Sequence, residues 1–139
     1  MIRSVLAVLA GILTLTAVSF GIEAVADPLL MRLFPESLPT RAAFSHSLPV
    51  TLFGFAYGAG SIALGGYVTA WLARRAPLKH AAIMGVVQCA LTVWAMAAMW
   101  NHAPAANWIG ALVMAFPAAL LGGWLFARRA GRQAALSAL

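Results

Sequence analysis

The sequence predicts an all-α polytopic membrane protein, a bundle of four transmembrane helices with both ends on the cytoplasmic side. Three observations predict it. The 139 residues are 63% hydrophobic and only 9% charged, where a soluble domain carries about a quarter charged residues. Four apolar stretches reach the roughly 20 residues that cross about 30 Å of hydrocarbon. Seven of the nine basic residues fall on one side of the arrangement those stretches define.

The predicted spans run from about residue 5 to 26, 48 to 72, 81 to 100 and 108 to 127. The first has no charge before Glu23, and the second has none at all. Gln88 is the most polar residue of the third. Each is apolar around its whole circumference, unlike a helix on the surface of a soluble protein. In lipid every backbone N–H and C=O must be paired, so a span is a helix or part of a closed barrel. Barrel strands alternate polar and apolar residues. These stretches do not alternate, and their Ala, Leu and Met favour helix. The first stretch has a second reading. Arg3, an apolar run and Ala24-Val25-Ala26 resemble a secretory signal with its cleavage site. The charge-free run from Ser4 to Ile22 exceeds the usual apolar region of about 7–15 residues, so a retained helix is expected.

Orientation follows from charge. Arg3, Arg74, Arg75, Lys79, Arg128, Arg129 and Arg132 share one side, and Arg32 and Arg41 lie on the other with Glu23, Asp27 and Glu36. Positive residues stay cytoplasmic, so both termini and the loop between the second and third spans are expected inside. This distribution explains the net charge of +6 without a nucleic-acid partner. The expected partners are the lipid bilayer and either further copies of the chain or another membrane protein. Trp71 and Trp124 fall near the expected inner interface, Trp100 and Trp108 near the outer one, where amphipathic rings are favoured. Trp94 lies deeper and is expected to pack against neighbouring helices.

The first external loop, residues 27–47, is long for a compact bundle. Asp27-Pro28 reads as an N-cap followed by proline at the first helical position, so a short interfacial helix is expected from Leu29 to Phe34. A further helical turn is expected over Ala42–His46. The loop either caps the outer face or forms part of a binding site.

Glu23 and Asp27 are the candidate functional pair. Four residues apart, they share a helix face and repel if both are ionised. Placed at a helix C-terminus they also oppose the macrodipole, so they require a cation, a proton or water. Acids within a membrane span are functional candidates by default. Arg32, Arg41, His46 and His102 are their candidate partners or ligand groups, all external in this topology. The alternative is that Glu23 merely reaches the interface and pairs with an arginine. A Glu/Asp/His cluster suits a metal, yet no ligand spacing such as H-x-x-H is present, and no cofactor is expected.

Gly54, Gly58, Ser61 and Gly65 in the second span align with Ala111, Ala115, Ala118 and Gly122 in the fourth. Gly65-Gly66-Tyr67 likewise matches Gly122-Gly123-Trp124, and Ala73-Arg74-Arg75-Ala76 recurs as Ala127-Arg128-Arg129-Ala130. Each set forms a narrow small-residue face on a helix, the pattern that lets membrane helices approach closely. Two repeated hairpins, related by an axis along the membrane normal, would produce it. Chance alignment of Ala-rich spans is the other reading.

The hydroxyls and amides of Thr14, Thr16, Ser19, Gln88 and Thr92 are expected to hydrogen-bond between helices. Met84, Met96, Met99 and Met114 are expected to fill the core. Pro117 is expected to free a carbonyl near Val113. The lone Cys89 forms no intrachain disulfide. No nucleophile elbow, P-loop, zincin or dinucleotide fingerprint occurs, which disfavours an enzyme. Association through small-residue faces, as a homo-oligomer or an accessory subunit, is the leading expectation. A small oligomeric transporter or channel with an acidic outer mouth is the second, and a membrane enzyme or metal-binding protein using the external cluster is the third.

The stretch Gly65-Gly66-Tyr67-Val68-Thr69-Ala70-Trp71-Leu72-Ala73-Arg74-Arg75-Ala76-Pro77-Leu78-Lys79-His80-Ala81 resembles the central hairpin of small, uncharacterised four-helix bacterial inner-membrane proteins. The resemblance covers one hairpin. It implies a bacterial inner membrane and brings no substrate or catalytic residues.

Overall fold

A computed structural model describes residues 2–73 and 76–136. Arg74 and Arg75 of the expected inner basic group, and of the repeat, lie outside the described residues. The chain forms α1 (Ile2–Leu33), the short α2 (Arg41–His46), α3 (Leu48–Ala73), α4 (Pro77–Met99), a 3-10 turn (Trp100–His102) and α5 (Ala105–Leu136). Four of these helices are long and apolar enough to cross a membrane. No strand occurs among the described residues.

Local signals set most boundaries. Thr40 caps α2, its hydroxyl accepting from the Ala43 N–H at 3.1 Å, and the Ser47 N–H closes that helix on the Phe44 carbonyl at 3.2 Å. Pro77 opens α4 at its first turn, where the N–H it lacks would have no helical partner. Ala76, just before it, takes the left-handed conformation (φ 47°), at a cost of roughly 1 kcal/mol for the sharp reversal between α3 and α4.

The first boundary departs from expectation. Pro28 starts no new helix, and α1 runs through it to Leu33. Proline within a helix frees the carbonyl four residues back, a loss that membrane helices tolerate. At 32 residues, α1 is about 48 Å long, longer than a bilayer's hydrocarbon. Its last turn carries Arg32, which complements the negative end of the helix dipole. The expected loop of residues 27–47 therefore shortens to residues 34–47, with α2 (Arg41–His46) at the expected helical turn, and the buried Leu38 and Phe44 seat it on the helices.

The packing is inverted relative to a soluble protein. Leu6, Leu13, Phe20, Leu52, Trp71, Val86 and Val113 are exposed, while the buried positions are dominated by small residues: Ala7, Gly11, Ser61, Gly65, Gly66, Ala81, Gly85, Ala115, Ala119, Gly122 and Gly123. Met84 is the largest fully buried side chain, while Met99 is exposed. Trp94 does not pack inside as expected. It is 72% exposed, because the small residues lining the core leave no space for an indole.

Helix α3 is central, touching α1, α4 and α5, and α4 also packs on α5. Its contacts run backbone to backbone at one end of the bundle. A methyl on Gly11 would sit 2.6 Å from the Gly65 carbonyl, and one on Gly65 would sit 2.6 Å from the Gly11 carbonyl. Neighbouring Gly66 faces the Ala119 backbone of α5, Gly122 of α5 faces Ala63 and Tyr67 of α3, and Gly123 faces Ala81 of α4. Each Gly-Gly pair thus lies at a junction of three helices. Adjacent helical residues diverge by about 100°, so two successive glycines admit two neighbours.

The expected single face on α3 is accordingly divided. Gly65 turns to α1, and Gly66 takes the contact with α5. A methyl added at Gly58 would meet no atom within 4 Å, and one at Gly54 would meet only Tyr57 of the same helix. On α5, Ala115, Ala118 and Gly122 are buried and Ala111 is half-buried. The hydroxyls also differ from expectation. Of those expected to bridge helices, Thr14 and Thr92 donate to the carbonyl four residues back on their own helices, at 2.7 and 2.9 Å, as does Ser61 of the small-residue face at 2.8 Å. That local acceptor lies within reach of any helical Ser or Thr, so these groups do not bridge helices.

Candidate functional site

The end of the bundle away from the Gly11–Gly65 crossing is splayed. Here Gly21, Gly58 and Gly60 meet no neighbouring atoms within 4 Å of a β-carbon position. The opening is a half-open cavity of about 870 Å³ between α1, α2, α3 and α5. Its apolar walls come from Phe44, Val50, Phe53 and Phe55, and its polar groups from Glu23, Asp27, Arg41, Ser45, His46, Thr51, Tyr57, Asn101 and Asn107.

Glu23 and Asp27 project into this chamber from successive turns of α1 and acquire different partners. The Tyr57 hydroxyl, from α3, donates to Glu23 Oε1 at 2.8 Å. Asp27 Oδ2 accepts from Arg41 Nη1 of α2 at 2.9 Å. Neither acid stands at a helix end, since α1 continues to Leu33. The dipole penalty expected from sequence is therefore small, because it falls off within the last turn. Two acids against one arginine leave Glu23 with a neutral donor and no cationic partner among the described residues.

The rest of the wall is polar and loosely joined. Asn107, at the start of α5, accepts from Thr51 Oγ1 of α3 at 3.4 Å and donates to the Ser45 carbonyl of α2 at 3.5 Å. These long, weak contacts tie three elements together around the opening. Phe53 and Tyr57 stack at a tilt with ring centres 5.2 Å apart, fixing the tyrosine that reaches Glu23. Arg41 also lies 5.8 Å over the Phe44 ring.

Of the candidates from sequence, Glu23, Asp27, Arg41 and His46 line this one cavity. Arg32 does not, being spent in the last turn of α1. The side chain of His102 lies outside the described residues. Tyr57, Thr51 and Asn107 were not legible as site residues. The available signal was Tyr57 itself, a phenol in the middle of a charge-free span, since a buried Tyr hydroxyl usually finds a partner. Among the described residues no group of three or more His, Cys, Asp or Glu is placed to hold a metal ion.

Such a chamber offers a recognisable chemistry. Aromatic and aliphatic walls accept an apolar body, and a carboxyl group with acceptor oxygens suits a head that brings a positive charge or N–H donors. Compared with protein-family models, curated proteins and solved structures, the chain matches none.

Proposed function

We propose that this chain is a multi-pass protein of a bacterial inner membrane, with both termini cytoplasmic, whose outer chamber binds a small organic cation for transport. The observation that carries the reading is Glu23: a carboxylate with one neutral donor, Tyr57, facing a cavity of about 870 Å³. An unpaired acid within an apolar helix is costly unless it serves a ligand, a proton or an ion. The sealed glycine contacts at the opposite end make the chamber one-sided, as in the outward-open state of a carrier. Membrane insertion is supported by the exposed Leu, Phe, Val and Trp on the four long helices, an apolar surface that water does not tolerate on a monomer. Orientation is supported by the bases at the sealed end and the acids at the open end.

Calorimetric titration of the purified chain in mild detergent with tetraphenylphosphonium and tetramethylammonium tests this reading. Saturable binding of at least one cation is expected, weakened at least about tenfold in Glu23→Gln, the loss of one close charge pair. Tyr57→Phe is expected to leave the charge attraction and alter affinity less. Absence of binding by both cations, or equal affinity in Glu23→Gln, overturns it.

A second reading, association with another copy or a membrane partner, is favoured by Gly21, Gly58 and Gly60, whose β-carbon positions meet no atom of a neighbouring helix within 4 Å among the described residues and admit a further helix at close range. Native mass spectrometry from mild detergent distinguishes it, since a strict monomer without partners removes it. We also read the two Gly-Gly junctions as copies of one hairpin, each glycine pair serving two neighbouring helices.

A further inference from the structure

We propose that the groove between α3 and α5 at the sealed end is a binding site for an anionic phospholipid. A cavity of about 490 Å³ lies there, bounded by Leu64, Tyr67, Leu125, Arg128, Arg129 and Arg132. On α5 the residues 125, 128, 129 and 132 follow the three- and four-residue spacing of one helix face. An apolar position thus leads directly into three guanidinium groups. On α3, Leu64 and Tyr67 form the matching wall, one turn apart. The site is amphipathic along its length: hydrocarbon on the bundle side, cationic at the end.

Charge selects the occupant. The acids of this chain are Glu23, Asp27 and Glu36, all on the open-end side of the fold, and none lines this groove. Three arginines therefore converge without a carboxylate among the described residues that line the groove. Arg129 Nη1 donates to the Tyr67 hydroxyl at 3.4 Å, and Tyr67 is held edge-on against Phe126 with ring centres 5.6 Å apart. Arg128 lies 5.2 Å over the Trp124 ring, a contact that uses the cation's charge and not its N–H donors. The fork of an arginine matches two oxygens of a phosphodiester. Basic pockets between membrane helices on the cytoplasmic side take anionic headgroups by this chemistry, and the exposed Leu64 and Leu125 offer a surface for the acyl chain. The site requires membrane insertion and is independent of what the outer chamber binds.

The test is native mass spectrometry of the full chain in mild detergent, supplied with equal amounts of phosphatidylglycerol, phosphatidylethanolamine and phosphatidylcholine of matched acyl chains. The expected result is preferential retention of phosphatidylglycerol. The triple variant Arg128→Gln, Arg129→Gln, Arg132→Gln is expected to lose that preference, by roughly a hundredfold if each arginine contributes about fivefold. The control Arg3→Gln, Lys79→Gln, which removes like charges elsewhere at the same end, is expected to keep it. Equal retention of the three lipids by the unmodified chain overturns the proposal, and that outcome does not depend on whether the triple variant folds. A preference unchanged in the folded triple variant overturns it as well. Competition with glycerol phosphate separates headgroup from free phosphate: displacement of the lipid at equimolar glycerol phosphate assigns the groove to a soluble phosphate and refutes the lipid assignment.

Discussion

Replacing Gly65 by alanine tests the close packing on which the whole arrangement depends. The added methyl would lie 2.6 Å from the Gly11 carbonyl, 2.8 Å from the Met84 methyl and 3.2 Å from Leu15 Cβ. Ordinary contact begins at 3.4 Å, so α1 must retreat by 0.8 Å, the difference between 3.4 and 2.6. Met84 is fully buried, so its methyl can yield only by a rotamer change within the core, whereas the Gly11 carbonyl is backbone and moves only with α1. Overpacking of this kind costs about 1–3 kcal/mol, and a gap of that width forfeits a quarter to a half of each dispersion contact along the interface. Alanine returns about 0.5–1 kcal/mol of helix propensity. The net loss is on the order of 1–2 kcal/mol. Gly58→Ala supplies the reference, because nothing lies within 4 Å of that position: it keeps the propensity gain without the clash and is expected to be neutral or stabilising by up to about 1 kcal/mol. Reversible unfolding in mixed micelles, followed by circular dichroism, measures both. Equal stability of the two variants would refute the packing described.

Three further outcomes follow from the same geometry. Arg41→Gln removes a partner that is 73% exposed on its side chain, so stability should fall by less than about 1 kcal/mol, whereas cation affinity in the titration above should rise about fivefold, the effect of roughly 1 kcal/mol of removed repulsion. Thr69→Val should leave the unfolding free energy in micelles unchanged or raise it by up to about 1–3 kcal/mol, with no loss beyond about 0.5 kcal/mol, because the buried Thr69 Oγ1 has no hydrogen-bond partner among the described residues and its desolvation is uncompensated. A larger loss would show that the hydroxyl is paired. Reporter fusions after Leu78 and after Asn101 should report cytoplasmic and external sides respectively, and the reverse pattern would invert the proposed orientation.

The four long helices were legible because hydrophobicity is a property of each segment by itself. Their packing was only partly so. The glycines of α3 were visible as small residues, but which neighbour each meets depends on α3 being central, and no spacing along one helix reveals that. Asp27-Pro28 misled for a local reason: the pair forms a good helix start, yet an existing helix can also pass through proline when the surroundings accept one unpaired carbonyl. The acids Glu23 and Asp27 were legible as a pair from their spacing of four. Their separation into a phenol-bonded and an arginine-bonded carboxylate was not, since Tyr57 lies 34 residues from Glu23 and meets it only across the splayed end.

The contrast between the two ends has a mechanical consequence. Gly11 and Gly65 press carbonyl against Cα and act as a fulcrum for α1. Glu23 stands twelve residues beyond it on the same rigid helix, an arm of about 18 Å. A tilt of about 5° away from α3 carries Glu23 roughly 1.6 Å along that arc. This is enough to stretch the 2.8 Å bond from Tyr57 beyond hydrogen-bonding range. Sub-ångström play at the fulcrum is thereby amplified into a displacement of the chamber wall that α1 supplies, one that reaches Glu23 and grows further towards Asp27 and Leu33.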